Sequence, residues 1–346
     1  MDERRLKMEL AVFEKINSLD KLQSLSKHEK IVQGILDAIN NDELQLNDPL
    51  PSVNKMIGGL GFARETIVRA YKDLIERGII ASKNRKGYFV INGNIRQQQK
   101  IAMVLYAFDT FQEALFKSFK AVVGDEVQID LFFHHNNSDV FEAIFNQIAG
   151  NYSLYVVAPI PNDRIEKLLL NIPVFKLLII DRYIQLSDDH SYVVQEFETP
   201  AYEIFQKLKE RFSNYEEIVF FFRENTAEPN EIVNAFNRFL KDSGLKGRIE
   251  SSYKAGSIEK NKVYFTIHNP ELYAILKDVM KNNWGLGKDL AVLAHNDDIV
   301  KEIISGGITT FSTDFVRMGE IAANYAINRN KVQEVVPTEL FLRQSL

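Results

Sequence analysis

Between residues 64 and 77 the apolar positions Ile67, Val68, Tyr71, Leu74 and Ile75 recur at helical spacing, while Arg64, Glu65, Arg69, Lys72, Asp73 and Glu76 fall mostly on other faces. A helix with one packed stripe is predicted there. Just upstream, Val53, Met56 and Ile57 mark a shorter helix, which Ser52 is placed to cap by accepting a backbone N–H bond. Gly58-Gly59-Leu60-Gly61 supplies positions tolerant of positive φ for a steep turn between the two. Gly78 then stops the helix, and residues 79–82 and 88–91 read as strands joined by the polar turn Lys83-Asn84-Arg85-Lys86-Gly87. At the amino terminus, Leu6, Leu10, Phe13 and Ile16 form a rough stripe, which predicts an amphipathic helix packing on this domain or on a twin chain.

Past residue 100 the pattern changes. Short strands, apolar nearly throughout, alternate with amphipathic helices: strands near 101–108, 127–133, 153–159 and 174–180, with helices between them. A second set follows, from a helix near 196–212 through strands at 217–222, 248–252, 263–267, 290–295 and 307–311 to a helix ending near 328 and a closing strand at 335–342. Such alternation predicts an α/β fold with parallel, Rossmann-like sheets in two lobes and a cleft between them. Residues 92–100 are polar without an apolar period and read as a linker. The expected division is a helical extension at 1–25, a winged helix-turn-helix at 26–92, a linker at 93–100 and a two-lobed domain at 101–346.

Composition narrows the classes. With no cysteine among 346 residues, disulfides and thiolate metal sites are excluded, which suits a reducing cytoplasm. The charged first twenty residues lack the apolar core of a signal peptide, and no later stretch reaches the length of a membrane span. The formal charge is −5, yet residues 60–96 hold eight Lys/Arg against three Asp/Glu. Positive charge concentrated beside an exposed helix suits phosphate contacts on double-stranded DNA. No G-x-S-x-G, Walker loop, H-E-x-x-H or G-x-G-x-x-G stands in its working context, so neither an enzyme nor a cofactor or metal site is expected.

The order of these features resembles the N-terminal domain of GntR-type regulators over roughly residues 26–92. The matching residues are Leu50-Pro51-Ser52, Arg64-Glu65-Thr66-Ile67, Tyr71, Leu74, Gly78-Ile79-Ile80 and Gly87-Tyr88-Phe89-Val90. The resemblance implies that Ser52, Arg64 and Thr66 contact phosphates or bases, that Arg69 lies along the recognition helix, and that Lys83, Arg85 and Lys86 reach the minor groove from the wing. Ala63 departs from the family's serine and removes one phosphate-bonding hydroxyl. Thr66 is equally suited to an internal helix contact.

Ligand-reading residues are expected at the carboxyl ends of the strands. This yields Asp109, Thr110 and Phe111; His134 and His135; Asp181 and Arg182; Arg223, Glu224 and Asn225; His268 and Asn269; and His295, Asn296 and Asp297. Asp109 and Asp297 are equally suited to capping the next helix, Arg182 to pairing across the hinge, Phe111 to the core, and the histidine pair to surface or capping roles. Residues 100–346 also resemble the effector domain of LacI-type repressors, which shares its fold with periplasmic sugar-binding proteins. The carrying residues are Ile308-Thr309-Thr310, Met318-Gly319-Glu320, Ala322-Ala323, Pro337-Thr338-Glu339-Leu340 and Leu342-Arg343-Gln344-Ser345, with residues 175–182 and 291–297 upstream. This implies a carbohydrate effector held by Arg182, Asn269 and Asn296, the last two standing where relatives most often carry Asp. Together the two resemblances imply a sugar-responsive repressor that binds a palindromic operator as a homodimer; the alternative is a plain sugar-binding protein without a transcriptional role.

Overall fold

The computed structural model describes residues 3–19, 26–76, 78–83, 86–91, 100–224 and 226–346. Four helices, α1 (Glu3–Ser18), α2 (Lys27–Asn40), α3 (Val53–Leu60) and α4 (Arg64–Glu76), precede the antiparallel hairpin β1 (Ile80–Lys83) and β2 (Gly87–Val90). Residues 47–50 run along β2, with Leu50 N–H donating to Tyr88 O at 2.9 Å and Pro49 bridging to Phe89, so the wing has three strands' worth of backbone pairing. The predicted turn falls later than expected: Gly58 and Gly59 continue α3, and the chain reverses only at Gly61, whose φ of 64° closes the helix. Ser26 caps α2 in a reciprocal box with Glu29.

The first helix is a correction. Its buried face is Met8, Val12 and Ile16, set among Ile31, Ile35, Met56, Ile67 and Tyr71, whereas Leu6 and Leu10 are 51% and 52% exposed. Met8, Val12 and Ile16 are each one turn apart, and α1 meets α2 so closely that a Cβ on Gly34 would stand 2.5 Å from Ile16 Cγ1. In α4 the packed line is Ile67, Ala70, Tyr71 and Leu74; Val68 and Ile75, expected in it, face outward.

The body holds two six-stranded sheets. In the first lobe β3 (Lys100–Leu105), α5 (Thr110–Val123), β4 (Gln128–Phe133), α6 (Ser138–Ile148), β5 (Leu154–Val157), α7 (Asp163–Leu169), β6 (Leu177–Arg182) and β7 (Ser191–Gln195) follow one another. The second lobe contains α8 (Glu198–Phe212), β8 (Glu217–Phe221), α9 (Asn230–Ser243), β9 (Gly247–Glu250), β10 (Lys262–Thr266), α10 (Asn269–Lys281), β11 (Ala291–His295), α11 (Ile299–Ile303) and β12 (Thr309–Thr313). The chain then returns through α12 (Phe315–Asn328) and β13 (Gln333–Val335) to the first lobe and ends with β14 (Thr338–Phe341) in the second. Strand orders are β13-β7-β6-β5-β3-β4 and β14-β12-β11-β10-β8-β9, all parallel except β12 with β14. This is the two-lobed, parallel-sheet architecture the alternation predicts.

Two placements differ from expectation. The helix ending at Asn328 belongs to the first lobe, where Met318, Ala322 and Ala323 pack with Leu115, Phe119 and Met103. The expected closing strand is two strands in different sheets, broken at Pro337, which has no N–H to donate to a ladder. As a result three segments cross between the lobes: β7 to α8, β12 to α12, and β13 to β14.

Candidate functional site: an exposed helix face and an interlobe crevice

On the head, Ser52 caps α3 by accepting from Lys55 N–H at 3.3 Å and stays exposed. Arg64 opens α4 and its Nη1 donates to Asn54 Oδ1 at 3.2 Å, which ties the starts of the two helices on one exposed face. Tyr71 anchors that arrangement from below, its hydroxyl donating to Pro51 O at 2.6 Å while its ring meets Tyr88 edge-on at 4.6 Å. Thr66 is half-buried, Arg69 and Lys86 are exposed, and Lys83 is exposed with its ammonium over the Phe89 ring. Asn84 and Arg85 lie outside the described residues, as do residues 93–99 of the expected linker, whose last residue, Lys100, opens β3. What the face offers is cations at the amino end of an exposed helix and on the adjacent wing, the elements that phosphate and base-edge contacts use.

In the body the polar groups gather where the carboxyl ends of the strands face each other. Asp181 ends β6 with a φ of 66°, and Asn296 follows β11 with a φ of 60°; both are left-handed non-glycine positions on the two facing walls. The Asp181 carboxylate accepts from Gln112 Nε2 at 3.0 Å and Gln195 Nε2 at 2.5 Å. Gln195 Oε1 in turn accepts from Thr313 of β12 at 3.0 Å, so this relay crosses the hinge. Burial pushes the Asp181 carboxyl above its ordinary range, against the Arg182 charge and the two amides. Arg182 lies over the Phe197 ring and donates to Ala227 O in the second lobe. Its role in bridging the lobes is thus visible.

The second wall is built around β11. His295 is buried between Phe197 and Phe311, and burial, then the charges of Lys301 and Arg182, lower its pKa to about 3, so the ring is neutral. Lys301 is fully buried and donates to His295 O at 3.1 Å and Asn296 O at 2.7 Å, with Asp298 at 3.7 Å. Three buried side-chain atoms on the two walls have no hydrogen-bond partner: Gln112 Oε1, His295 Nδ1 and Asn296 Oδ1. Buried polar atoms without a partner are costly, so each of these three is a position where a further hydrogen-bonding group would be stabilised.

Other expected residues are engaged elsewhere. Asp109 caps α5, accepting from Phe111 and Gln112 N–H at 3.0 and 2.9 Å. His134 is buried with Nε2 bonded to Ala158 O at 3.0 Å and Nδ1 accepting from Asn136 N–H at 3.2 Å, so no ring nitrogen is left for a ligand. Asp297 is held bidentate by Arg343 at 2.6 and 2.8 Å and by Thr310 at 2.6 Å. Arg223 grips Glu228 through its own N–H and Nε. Phe111 stacks near Phe315 and under Lys301, Asn269 is the first residue of α10, and Asn225 lies outside the described residues. Gln112, Gln195, Phe197, Lys301 and Thr313 were not singled out from sequence. Strand β7 had gone unrecognised, and with it the strand-end position of Gln195; Lys301, one turn into a five-residue helix, carries no signal in the sequence. A separate surface hollow of about 690 Å³ lies by Lys100, Asp130 and Tyr152, whose polar groups already satisfy one another, with Tyr152 Oη donating to Asp130 at 2.7 Å.

Residues 27–90 match the family described as "Bacterial regulatory proteins, gntR family". The regulator NtdR of the NTD biosynthesis operon in Bacillus subtilis (strain 168) is 25% identical over 96 residues, a match covering 25% of this chain and 29% of that protein. The chain therefore aligns with under a third of that relative's length. Among solved structures, a LacI family transcriptional regulator from Silicibacter pomeroyi superposes with a TM-score of 0.60 at 14% identity, covering 71% of this chain and 98% of the other. The trehalose repressor from Escherichia coli gives 0.59 at 11% identity over 70% and 99%. The LacI family regulator CCPA from Weissella paramesenteroides, solved with bound sucrose, gives 0.57 at 15% identity over 72% and 98%. The body thus has the fold of LacI-type regulators, joined to a gntR-type head.

Proposed function

We propose that this chain is a sequence-specific transcription regulator whose winged head reads double-stranded DNA under the control of a small carbohydrate bound in the interlobe crevice. One observation supports the reading: an exposed helix face bearing Arg64 and Arg69, and buried side-chain atoms without partners where two lobes meet, Gln112 Oε1 and Asn296 Oδ1, share a single chain. The regulators and repressors among the similar proteins, one of them solved with bound sucrose, support it.

The unpaired groups also favour a neutral polyol over an anion. Gln112 Oε1 and Asn296 Oδ1 are acceptors that hydroxyl donors would fill, and the neutral His295 ring, whose Nδ1 is also unpaired, offers no charge to an anion. Of the nearby cations, Arg343 is held by Asp297, Lys301 by two carbonyls and Asp298, and Arg182 by the Ala227 carbonyl and the Phe197 ring. Ligand binding at these atoms would hold the lobes closed through Arg182 and the Gln195–Thr313 relay, and a coupling of roughly 1–3 kcal/mol to DNA affinity is typical of such linkage.

The working form is a homodimer on a palindromic operator, in the cytoplasm, with repression as its default action. Tyr273 and Met280 on α10 and Ile299, Val300 and Ile303 on α11 are exposed apolar residues of the second lobe, side chains that a self-contact would cover. No helix among the described residues is long and apolar enough to cross a membrane. Two heads on one palindrome would sit about one helical turn, roughly 34 Å, apart.

A thermal-shift screen of monosaccharides and sugar phosphates, followed by gel shifts on selected duplexes with and without the hit, tests the reading. A neutral sugar should raise Tm and change DNA affinity, and Gln112→Ala or Asn296→Ala should remove the shift. A response to phosphorylated sugars alone would refute the neutral-ligand assignment, and a chain that retains no DNA would refute the regulator.

A further inference from the structure

The amino-terminal half of the outward face of α4 carries one apolar residue, Val68, among charges. Val68 is 41% exposed, one turn beyond Arg64 and one turn before Lys72, with Glu65 and Arg69 on the flank of the same face. A solvent-exposed apolar side chain is ordinary in itself, so its position is what matters. Val68 is the fifth residue of the helix, in the second turn from the amino end, and it is exposed on the flank of the packed line Ile67, Ala70, Tyr71 and Leu74. The amino-terminal turns of a recognition helix are those that meet base edges. Ile75 shares the face two turns further on, towards the helix end remote from that contact. A β-branched residue is also not what helix propensity selects at a wet position.

In the major groove the one apolar feature of any base pair is the C5 methyl of thymine. Resting on the DNA-binding reading above, we infer that Val68 is a specificity-determining residue that packs on a thymine methyl in each operator half-site. Arg64, Lys72 and Arg69 hold the helix in register through phosphates or polar base edges, and Val68 contributes a contact that depends on one methyl group.

The full-length chain is used to select binders from a pool of random 20-base-pair duplexes, and each thymidine of the retained consensus is then replaced singly by deoxyuridine, which lacks only the methyl. Affinity is measured by fluorescence anisotropy for the wild type and for Val68→Ala, a change that favours the helix and leaves the packed face intact. One thymidine per half-site is expected to lose about fourfold in wild-type affinity on replacement, the worth of one buried methyl-sized group, while Val68→Ala binds both duplexes equally. A consensus insensitive to every replacement, or an equal loss in Val68→Ala, overturns the assignment while leaving DNA binding in place. A pool from which no duplex is retained overturns both.

Discussion

The ammonium of Lys301, on the second lobe, stands 5.4 Å from the ring centre of Phe111, on the first. This lysine is fully buried, and burial lowers its pKa against the pull of Asp298 and Asp297. It is retained because it satisfies the carbonyls of His295 and Asn296, which end β11 at the crevice wall. Lys301→Met keeps the stem and removes those bonds together with the cation–π contact. Two buried acceptors left unpaired cost about 2–4 kcal/mol, so Tm is expected to fall by roughly 5–10 °C in calorimetry of the purified variant. A Tm within a degree of wild type would mean that water already serves these carbonyls.

Asp181 gives the crevice a distinct pH response. Its folded pKa is raised by burial, so the penalty for holding it charged is full at neutral pH. That penalty is relieved as pH falls through the raised value and is gone below the ordinary carboxyl range, because the folded chain takes up the proton more readily than the unfolded one. Asp181→Asn removes the charge, and its amide has an acceptor ready in the unpaired Gln112 Oε1. The variant is expected to be more stable than wild type at pH 7–8, with the advantage shrinking towards pH 4. Paired denaturant titrations across that range measure the difference directly; a constant gap would show that Asp181 is not the titrating group.

His134 acts in the opposite direction. Burial lowers its pKa from 6.5 to about 4, despite the bond to Ala158 O. Above pH 6.5 neither state is protonated and the group has no effect. Between 6.5 and 4 the unfolded chain binds a proton that the folded chain does not, so stability declines over this window. Below 4 there is no further loss from this residue. His134→Gln keeps a donor for Ala158 O and should flatten that decline, read as the slope of Tm against pH. A slope identical to wild type would place the acid sensitivity in other groups, such as His190 or His295.

Much of this was legible from residue patterns, and the exceptions have physical causes. The parallel lobes follow from apolar runs such as residues 101–105 and 177–180, buried on both faces. The head follows from Ser52, Gly61 and the line Ile67, Tyr71, Leu74. Val68 was misassigned because period alone cannot tell which edge of an apolar stripe meets the core; Leu6 and Leu10 failed for the same reason. Strand β7 escapes the pattern because its apolar run is only Tyr192-Val193-Val194, flanked by Ser191 and Gln195, although both of these are buried. The strand-end rule picks out Asp181, Arg182 and Asn296, and the structure places the first two at the end of β6 and the third just past β11. Asp109 caps α5, the alternative its local sequence also offers, while His134 and Asp297 are claimed by a backbone carbonyl and an arginine distant in sequence, partners that no local pattern reveals.

The amino-terminal helix offers the last test, because it lies outside the residues 27–90 that match the gntR-type family and yet is part of the head's core. Ile16 is fully buried against α2 at Gly34, and Val12 and Met8 continue the same seam. Glu9, itself buried, receives the Lys55 ammonium at 2.7 and 2.6 Å and so fastens α1 to the helix that Ser52 caps. If α1 is structural, Ile16→Ala should destabilise the head by about 2–5 kcal/mol, the usual cost of truncating a buried isoleucine, and should weaken DNA retention at 37 °C while leaving the sugar-induced thermal shift of the body unchanged. Leu10→Ala, on the exposed side of the same helix, should do neither. Equal effects from the two substitutions would place the importance of α1 in its outer face, in contact with another molecule, and not in the seam with α2.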